Sequence, residues 1–186
     1  SDLDHYFADG SMLKGLCDVH TPGIEATTGS LGHGVSIAVG LALAAKRRGT
    51  SQYTYAIAGD GEMNEGAVWE ALLFAAHAAL SRFFIIIDAN QFQAMGSTDE
   101  VMSLGNLHAK LESFGFETLS VDGHDEAALH HAVTLLKSST ISTPKAIVAH
   151  TVKGKGISFM EGNNIWHYTR LTDDTFQAAL QELHSA

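Results

Sequence analysis

The chain has 186 residues, 45% hydrophobic and 17% charged, proportions of a globular domain that exclude intrinsic disorder. Eleven Lys and Arg against 21 Asp and Glu leave a formal charge of −10, which argues against nucleic acid and anionic membranes as partners. No apolar run reaches the roughly 18 residues of a membrane span, and no basic-then-apolar leader is expected. The single cysteine, Cys17, excludes an internal disulfide or a cysteine-based zinc site and makes a reducing cytoplasm the expected compartment.

In chain order, the Gly-, Thr- and Asp-rich stretch 9–34 reads mostly as loop. The run 31–48 predicts a helix, with Lys46, Arg47 and Arg48 favourable at its C-terminal dipole and Gly49 just beyond. YTYAIA (53–58) predicts a short strand ending at Gly59-Asp60-Gly61, and 64–80 a helix. FFIIIDA (83–89) is an almost unbroken apolar strand, the pattern of a sheet buried on both faces. A helix at 106–114, strand 116–122, helix 126–137, strand 146–152 and last helix 173–184 follow.

This alternation predicts an α/β fold with a doubly wound parallel sheet, in which ligands sit at the carboxyl ends of the strands. The segments there are Gly59-Asp60-Gly61, Asn90-Gln91-Phe92 and Lys153-Gly154-Lys155-Gly156, all glycine-rich or polar. Two helices carry a further message. Residues 67–80 are apolar nearly all round, and 35–45 are broken only by small residues such as Ser36 and Gly40. Either both are deep core helices, or part of their surface meets another subunit.

Gly-Asp-Gly alone is usually a turn. Here it closes a strand and opens a helix, where amides can face an anion. Twenty-eight residues, 62–89, separate it from Asn90, enough for one helix and one strand. Adjacent parallel strands lie about 4.8 Å apart, so Asp60 and Asn90 can converge on one point. Carboxylate and amide oxygens suit Mg²⁺, which takes about six oxygens near 2.1 Å, some of them from phosphates. The pattern therefore suggests a Mg²⁺-bridged diphosphate.

At this point the residues resemble a family. Gly59-Asp60-Gly61 and Asn90 at this spacing resemble the thiamine-diphosphate signature. The strings TPGIEATTGSLGHGVSIAVGLALAAK (21–46), GDGEMNEGAVWEA (59–71), DANQF (88–92) and HTVKGKGISFMEGNNIWH (150–167) resemble transketolase, most of all the N-terminal subunit of split, two-gene transketolases. The resemblance implies a thiamine-diphosphate-binding fold, with residues 1–186 forming one diphosphate-binding domain that lacks the family's N-terminal segment.

The resemblance also implies roles. Asp60 and Asn90, with the main-chain carbonyl of Phe92, would ligate Mg²⁺ (or Ca²⁺ or Mn²⁺), and Gly61 would present its amide to the diphosphate. Gly29, Ser30 and Leu31 match the loop beside the cofactor rings. Lys153 and His167 match a lysine and a histidine lining cofactor and donor; with His33 they are the candidate catalytic residues. Glu65 and Glu70 match acids of a dimer-interface network, and their apolar neighbours suggest a buried, paired state; Glu65 is also a candidate cofactor-binding residue. Plain readings stand beside these: Lys153 as a solvated lysine, His167 as a packed loop histidine, Glu65 and Glu70 as helix-surface acids, His33 as a helix cap. His124, His130 and His131 read as structural or surface residues.

Three features depart from the pattern: Ser30 where many relatives have proline, Gly15-Leu16-Cys17 where the family reads Gly-His-Pro, and Tyr168 after His167 where it has glycine. Leu16 replaces a histidine that bonds donor hydroxyls, which puts the ordinary ketose-phosphate donor in question; His20 is a nearby substitute. The implied function is a two-carbon ketol transfer between sugar phosphates, carried out with a C-terminal partner subunit that bears the pyrimidine-binding domain and with homodimerisation across the apolar helices. The alternatives are an acyl transferase or lyase acting on a 2-oxo acid or an unusual (sulfo- or branched) sugar, and a non-catalytic cofactor-binding partner.

Overall fold

The computed structural model of the chain describes residues 2–16 and 18–185, with side chains from Asp4 onward; Cys17 lies outside the described residues. Helix α1 (His33–Arg47) leads to strand β1 (Thr54–Gly59), and a 3₁₀ turn (Gly61–Asn64) leads into α2 (Gly66–His77). Strand β2 (Phe83–Ala89) is followed by a two-residue hairpin, β3 (Phe92–Gln93) and β4 (Gly96–Ser97), and by α3 (Thr98–Met102). Then come α4 (Leu107–Ser113), β5 (Glu117–Asp122), α5 (Glu126–Ser138) and β6 (Lys145–His150). A 3₁₀ turn (Asn164–His167) and α6 (Asp173–Ser185) complete it.

The four long strands form one parallel sheet in the order β1-β2-β6-β5. Side chains alternate across a strand, so β2 splits its apolar run between two cores. Phe83, Ile85 and Ile87 join Val35, Val39, Leu72, Ala75 and Leu111 in the layer made by α1, α2 and α4. Phe84, with Ile86 at its margin, packs with Ile147, Ala132 and Leu136 beneath α5. The doubly wound reading therefore holds, with one layer thinner than the other: α5 leaves the outer face of β1 open, and Ile57 is 76% exposed there.

Several boundaries differ from expectation for local reasons. α1 begins at His33 rather than Leu31, because Gly32 takes a left-handed conformation (φ 81°). α2 is shortened at both ends, by the 3₁₀ turn before it and by Ala79 at φ 47° after it. Lys46 lies in the last turn of α1, as expected, and also bonds across to α2. Its Nζ donates to the carbonyls of Ala78 (2.6 Å) and Ala79 (3.1 Å), just past the end of α2. The hairpin β3–β4 went unread because two-residue strands carry no periodicity. Among the described residues no helix is long and apolar enough to cross a membrane.

Candidate active site

The carboxyl edge of the sheet gathers the residues singled out by the sequence. Asp60 follows β1 and is only 3% exposed. Its Oδ1 accepts from the Gly61 amide (2.7 Å) and its Oδ2 from the Gln91 amide (2.5 Å), while its own amide donates to the Asp88 carbonyl (3.1 Å). One side chain thus ties together the exits of β1 and β2. Gln91 sits at φ 68°, a left-handed bend unusual for a side-chain-bearing residue, and this bend lets the chain double back beneath Asp60. Burial pushes the Asp60 carboxyl above the usual carboxylate range, against the two amide bonds; the Asp88 charge adds to the rise and the Lys153 charge opposes it.

Asn90 is half-buried, and both ends of its amide are committed. Nδ2 donates to Asp88 Oδ2 (3.0 Å), and Oδ1 accepts from the Phe92 amide (2.9 Å). The other Asp88 oxygen accepts from the Thr151 hydroxyl, at the exit of β6. Asp88 therefore orients Asn90 from behind, as outer partners orient the ligands of metal centres. Sequence reasoning missed Asp88 and Thr151. The usable signal was the spacing of Asp88 and Asn90, two apart at a strand end and so on one side of it.

The donor chemistry fits a hard divalent cation. Asp60 is buried with only amides bonded to it, and each of its oxygens keeps a lone pair, as does Asn90 Oδ1. An adjacent divalent charge reverses the burial effect on such a carboxyl. Among the described residues no group of three or more His, Cys, Asp or Glu is placed to hold a metal ion. An ion at this edge must then take a mixed set of carboxylate, amide and main-chain oxygens, which Asp60, Asn90 and Phe92 can offer.

The 29–33 loop approaches from the other side. Gly32 donates its amide to Glu62 Oε1 (2.8 Å), and a Cβ on Gly32 would lie 2.8 Å from Glu65 Cβ. Only glycine suits both that space and the backbone at φ 81°. Glu62, from the 3₁₀ turn that follows Asp60, thus joins the loop to the Gly61 segment, a link the sequence reading missed. Gly61 itself sits tightly against Gln93, whose Cβ lies 2.6 Å from where a Gly61 Cβ would stand. Gly29, Ser30, Leu31 and His33 are exposed. The Gly29 backbone adjoins Leu16, whose Cδ1 lies 3.2 Å from a Gly29 Cβ position.

Glu65 and Glu70, read as acids of a dimer-interface network, are both exposed in the single chain. The buried face of α2 is Val68, Ala71, Leu72 and Ala75, and Glu70 falls opposite it at helical spacing.

Lys153 and His167 do come together: Lys153 Nζ and His167 Nδ1 are 3.4 Å apart. The turn bearing His167 is anchored by the Trp166 indole, which donates to the Phe159 carbonyl (3.0 Å) with ring centroids 5.2 Å apart, and by Asn164 Nδ2, which donates to the Ala94 carbonyl (3.4 Å). Lys153, Asp88 and Asn90 line one open cavity of about 650 Å³. Asp60 lines another of about 570 Å³ with Gln91, Thr98, His108 and His150.

A parallel α/β sheet with Asp60, Asn90, Lys153 and His167 gathered at its carboxyl edge defines the class: a fold built to hold a ligand at its strand exits. Comparison with known proteins makes this particular. The family described as transketolase, thiamine diphosphate binding domain, matches residues 1–184. An apulose-4-phosphate transketolase subunit from Phocaeicola vulgatus is 38% identical over 94% of this chain and 62% of its own length. The 6-deoxy-6-sulfo-D-fructose transketolase subunit SqwG of Clostridium sp. is 41% identical over 97% of this chain and 66% of its own. The transketolase structure from Campylobacter jejuni superposes with a TM-score of 0.91 at 31% identity, covering 98% of this chain and 30% of that one. The chain belongs to the transketolase family, in its thiamine-diphosphate-binding domain. It spans about two thirds of the length of the curated relatives it matches.

Proposed function

We propose that residues 1–186 form a single diphosphate-binding domain, the thiamine-diphosphate subunit of a split transketolase-type enzyme that moves a two-carbon ketol unit between sugar phosphates in the cytoplasm. The observation that supports this reading is the buried Asp60 carboxylate at the exit of β1, bonded to the exit of β2 through the Gln91 amide next to the Asp88-oriented Asn90. Asp60, Asn90 and the Phe92 carbonyl would hold Mg²⁺, and the Gly61 amide would meet the diphosphate. Bound thiamine diphosphate supplies the carbanion chemistry. This chain anchors that group and forms one wall of its pocket, with Gly29, Ser30 and Leu31 beside the rings and Glu65 behind them.

An ammonium has no acceptor, so at Lys153 the His167 Nδ1 accepts and the ring proton resides on Nε2, free to donate to a donor oxygen. Lys153 keeps positive charge beside the diphosphate, and His33 stands at the mouth of the 29–33 loop. A partner subunit with the pyrimidine-binding domain completes the enzyme, in keeping with relatives named as subunits. The exposed apolar side chains Ile37 and Leu41 on α1, with Leu73 and Phe74 on α2, support pairing of two such assemblies.

The test is calorimetry of thiamine diphosphate with Mg²⁺, partner present, on wild type, Asp60→Ala and Asn90→Ala. Loss of Mg²⁺-dependent affinity in both variants is expected, since each removes one hard ligand; unchanged affinity in both refutes the assignment. Leu16 beside Gly29 favours a second reading of the donor. A leucine there suits an unusual sugar, and relatives named for apulose 4-phosphate and 6-deoxy-6-sulfo-D-fructose support it.

A further inference from the structure

His124 opens the turn between β5 and α5, and its ring reaches the exit of the neighbouring strand. Val152 donates its amide to His124 Nε2 at 2.7 Å. The turn is held flush against β6. Gly123 donates to the His150 carbonyl (2.7 Å), and a Cβ on Gly123 would collide with Thr151 Cγ2, so a larger residue would lift the turn away. His124's own amide donates to Asp122 Oδ1 (2.8 Å). The ring lines the same cavity as Asp88, Asn90 and Lys153.

Val152 immediately precedes Lys153, and Gly154 follows at φ 78° with the Met160 carbonyl 2.5 Å from its Cβ position. The backbone carrying Lys153 is thus gripped on both sides, by His124 before it and by Met160 after it. An imidazole nitrogen accepts a hydrogen bond only without its proton, so the grip requires a neutral ring protonated on Nδ1.

We propose that His124 is a positioning residue, whose neutral imidazole pins the Val152 amide and thereby aims the Lys153 ammonium at His167 and the shared cavity. The functional consequence rests on the cofactor-lining roles given to Lys153 and His167 above. The charged or titratable groups around the ring are Asp122 and Asp125 on its own turn, Asp88 from β2, His150 at the end of β6, and Lys153 and Lys155 after it. Loss of the ring nitrogen removes the acceptor and releases the Val152 amide.

Hydrogen exchange resolved at the Val152 amide, on the full protein as purified, tests the contact directly. After correction for intrinsic rates, His124→Leu should exchange about three- to tenfold faster than wild type. His124→Gln, whose Oε1 can accept, should be slow like wild type. Thiamine diphosphate affinity measured with Mg²⁺ should follow the same order, weakened about three- to tenfold in His124→Leu and restored in His124→Gln. Equal Val152 exchange in all three proteins overturns the proposal. So does exchange that follows the pattern while His124→Leu binds thiamine diphosphate like wild type. If wild type itself binds no thiamine diphosphate, the cofactor reading fails instead, and the exchange data still decide whether His124 holds Val152.

Discussion

The Asn90 side chain donates its Nδ2 to Asp88 Oδ2 at 3.0 Å, which leaves Oδ1 as the only amide atom able to face an ion. Asp88, two residues back and bonded to Thr151 on its other oxygen, therefore decides what Asn90 presents. Removal of an outer partner of this kind typically costs about 10–100-fold in metal affinity. Asp88→Ala should show a loss of that size in Mg²⁺-dependent thiamine diphosphate binding, and Thr151→Val a smaller loss, since Asn90 keeps its partner. Titration calorimetry distinguishes them. Wild-type affinity in Asp88→Ala would show that Asn90 is oriented without it.

Glu117 and Lys145 give a pH prediction away from the site. Lys145 is 2% exposed, and its Nζ donates to Glu117 Oε2 (2.6 Å) and the Ile141 carbonyl (2.9 Å). Burial pushes the Glu117 carboxyl up, but the Lys145 ammonium and a Ser139 hydroxyl bond more than reverse this, leaving it below the usual carboxylate range. A carboxyl lowered by folding adds stability above its unfolded pKa, and that stability is lost as pH falls toward the folded value. Wild type should therefore lose stability below the ordinary glutamate range faster than Glu117→Gln. At neutral pH Glu117→Gln should be less stable by about 1–3 kcal/mol, because the Lys145 ammonium keeps only neutral oxygen partners. Denaturant melts at several pH values check both; parallel pH profiles would contradict the coupling.

Two glycines should respond to alanine in opposite directions. Gly32 combines φ 81° with a Cβ position 2.8 Å from Glu65 Cβ, so Gly32→Ala should destabilise by about 1–3 kcal/mol. Gly40 lies within α1 with nothing within 4 Å of its Cβ position, and Gly40→Ala should stabilise the chain by about 0.5–1 kcal/mol. Chemical denaturation of the two variants reads the signs. Destabilisation by both would point to a contact on the exposed side of α1.

Period and spacing made the sheet and half of the site readable. The unbroken run 83–89 announced a strand buried on both faces, and β2 is one, because parallel strands between helix layers have no solvent side. Asp60 and Asn90 were found from the interval between them, which one helix and one strand fill. What escaped depends on contacts between segments distant in sequence. Glu62 capping Gly32 across 30 residues, Asp88 meeting Thr151 across 63, and His124 reaching Val152 across 28 leave no local pattern.

The apolar surface of α2 yields a prediction on assembly. Leu73 and Phe74 are 61% and 45% exposed, a costly arrangement for a helix whose remaining apolar residues are buried or partly buried. If this face pairs with another subunit, Leu73→Glu should lower the mass measured by light scattering while leaving the melting temperature of the dissociated chain near wild type. An unchanged mass would remove α2 from the interface.

Leu16 bears on the donor. It is 66% exposed and packs over Gly29, at the start of the loop assigned to the cofactor rings. Leucine offers no hydrogen bond, so a sugar hydroxyl directed there goes without its partner, at a cost of about 1–3 kcal/mol. The neighbouring substitute, His20, is held elsewhere. Its Nδ1 lies 2.5 Å from Asp18 Oδ1, and its ring borders a separate cavity with Phe7 and Met12. Lys14 bonds the same aspartate at 2.7 Å, and these bonds hold the Asp18 carboxyl well below the usual range. Wild type should accordingly use ordinary ketose phosphates such as xylulose 5-phosphate poorly. Leu16→His should raise kcat/KM for them by roughly five- to 150-fold, the range corresponding to that energy. His20→Ala should change little. Efficient wild-type turnover that collapses in His20→Ala would reverse the assignment, showing that His20 leaves Asp18 on substrate binding and that Leu16 does not select the donor.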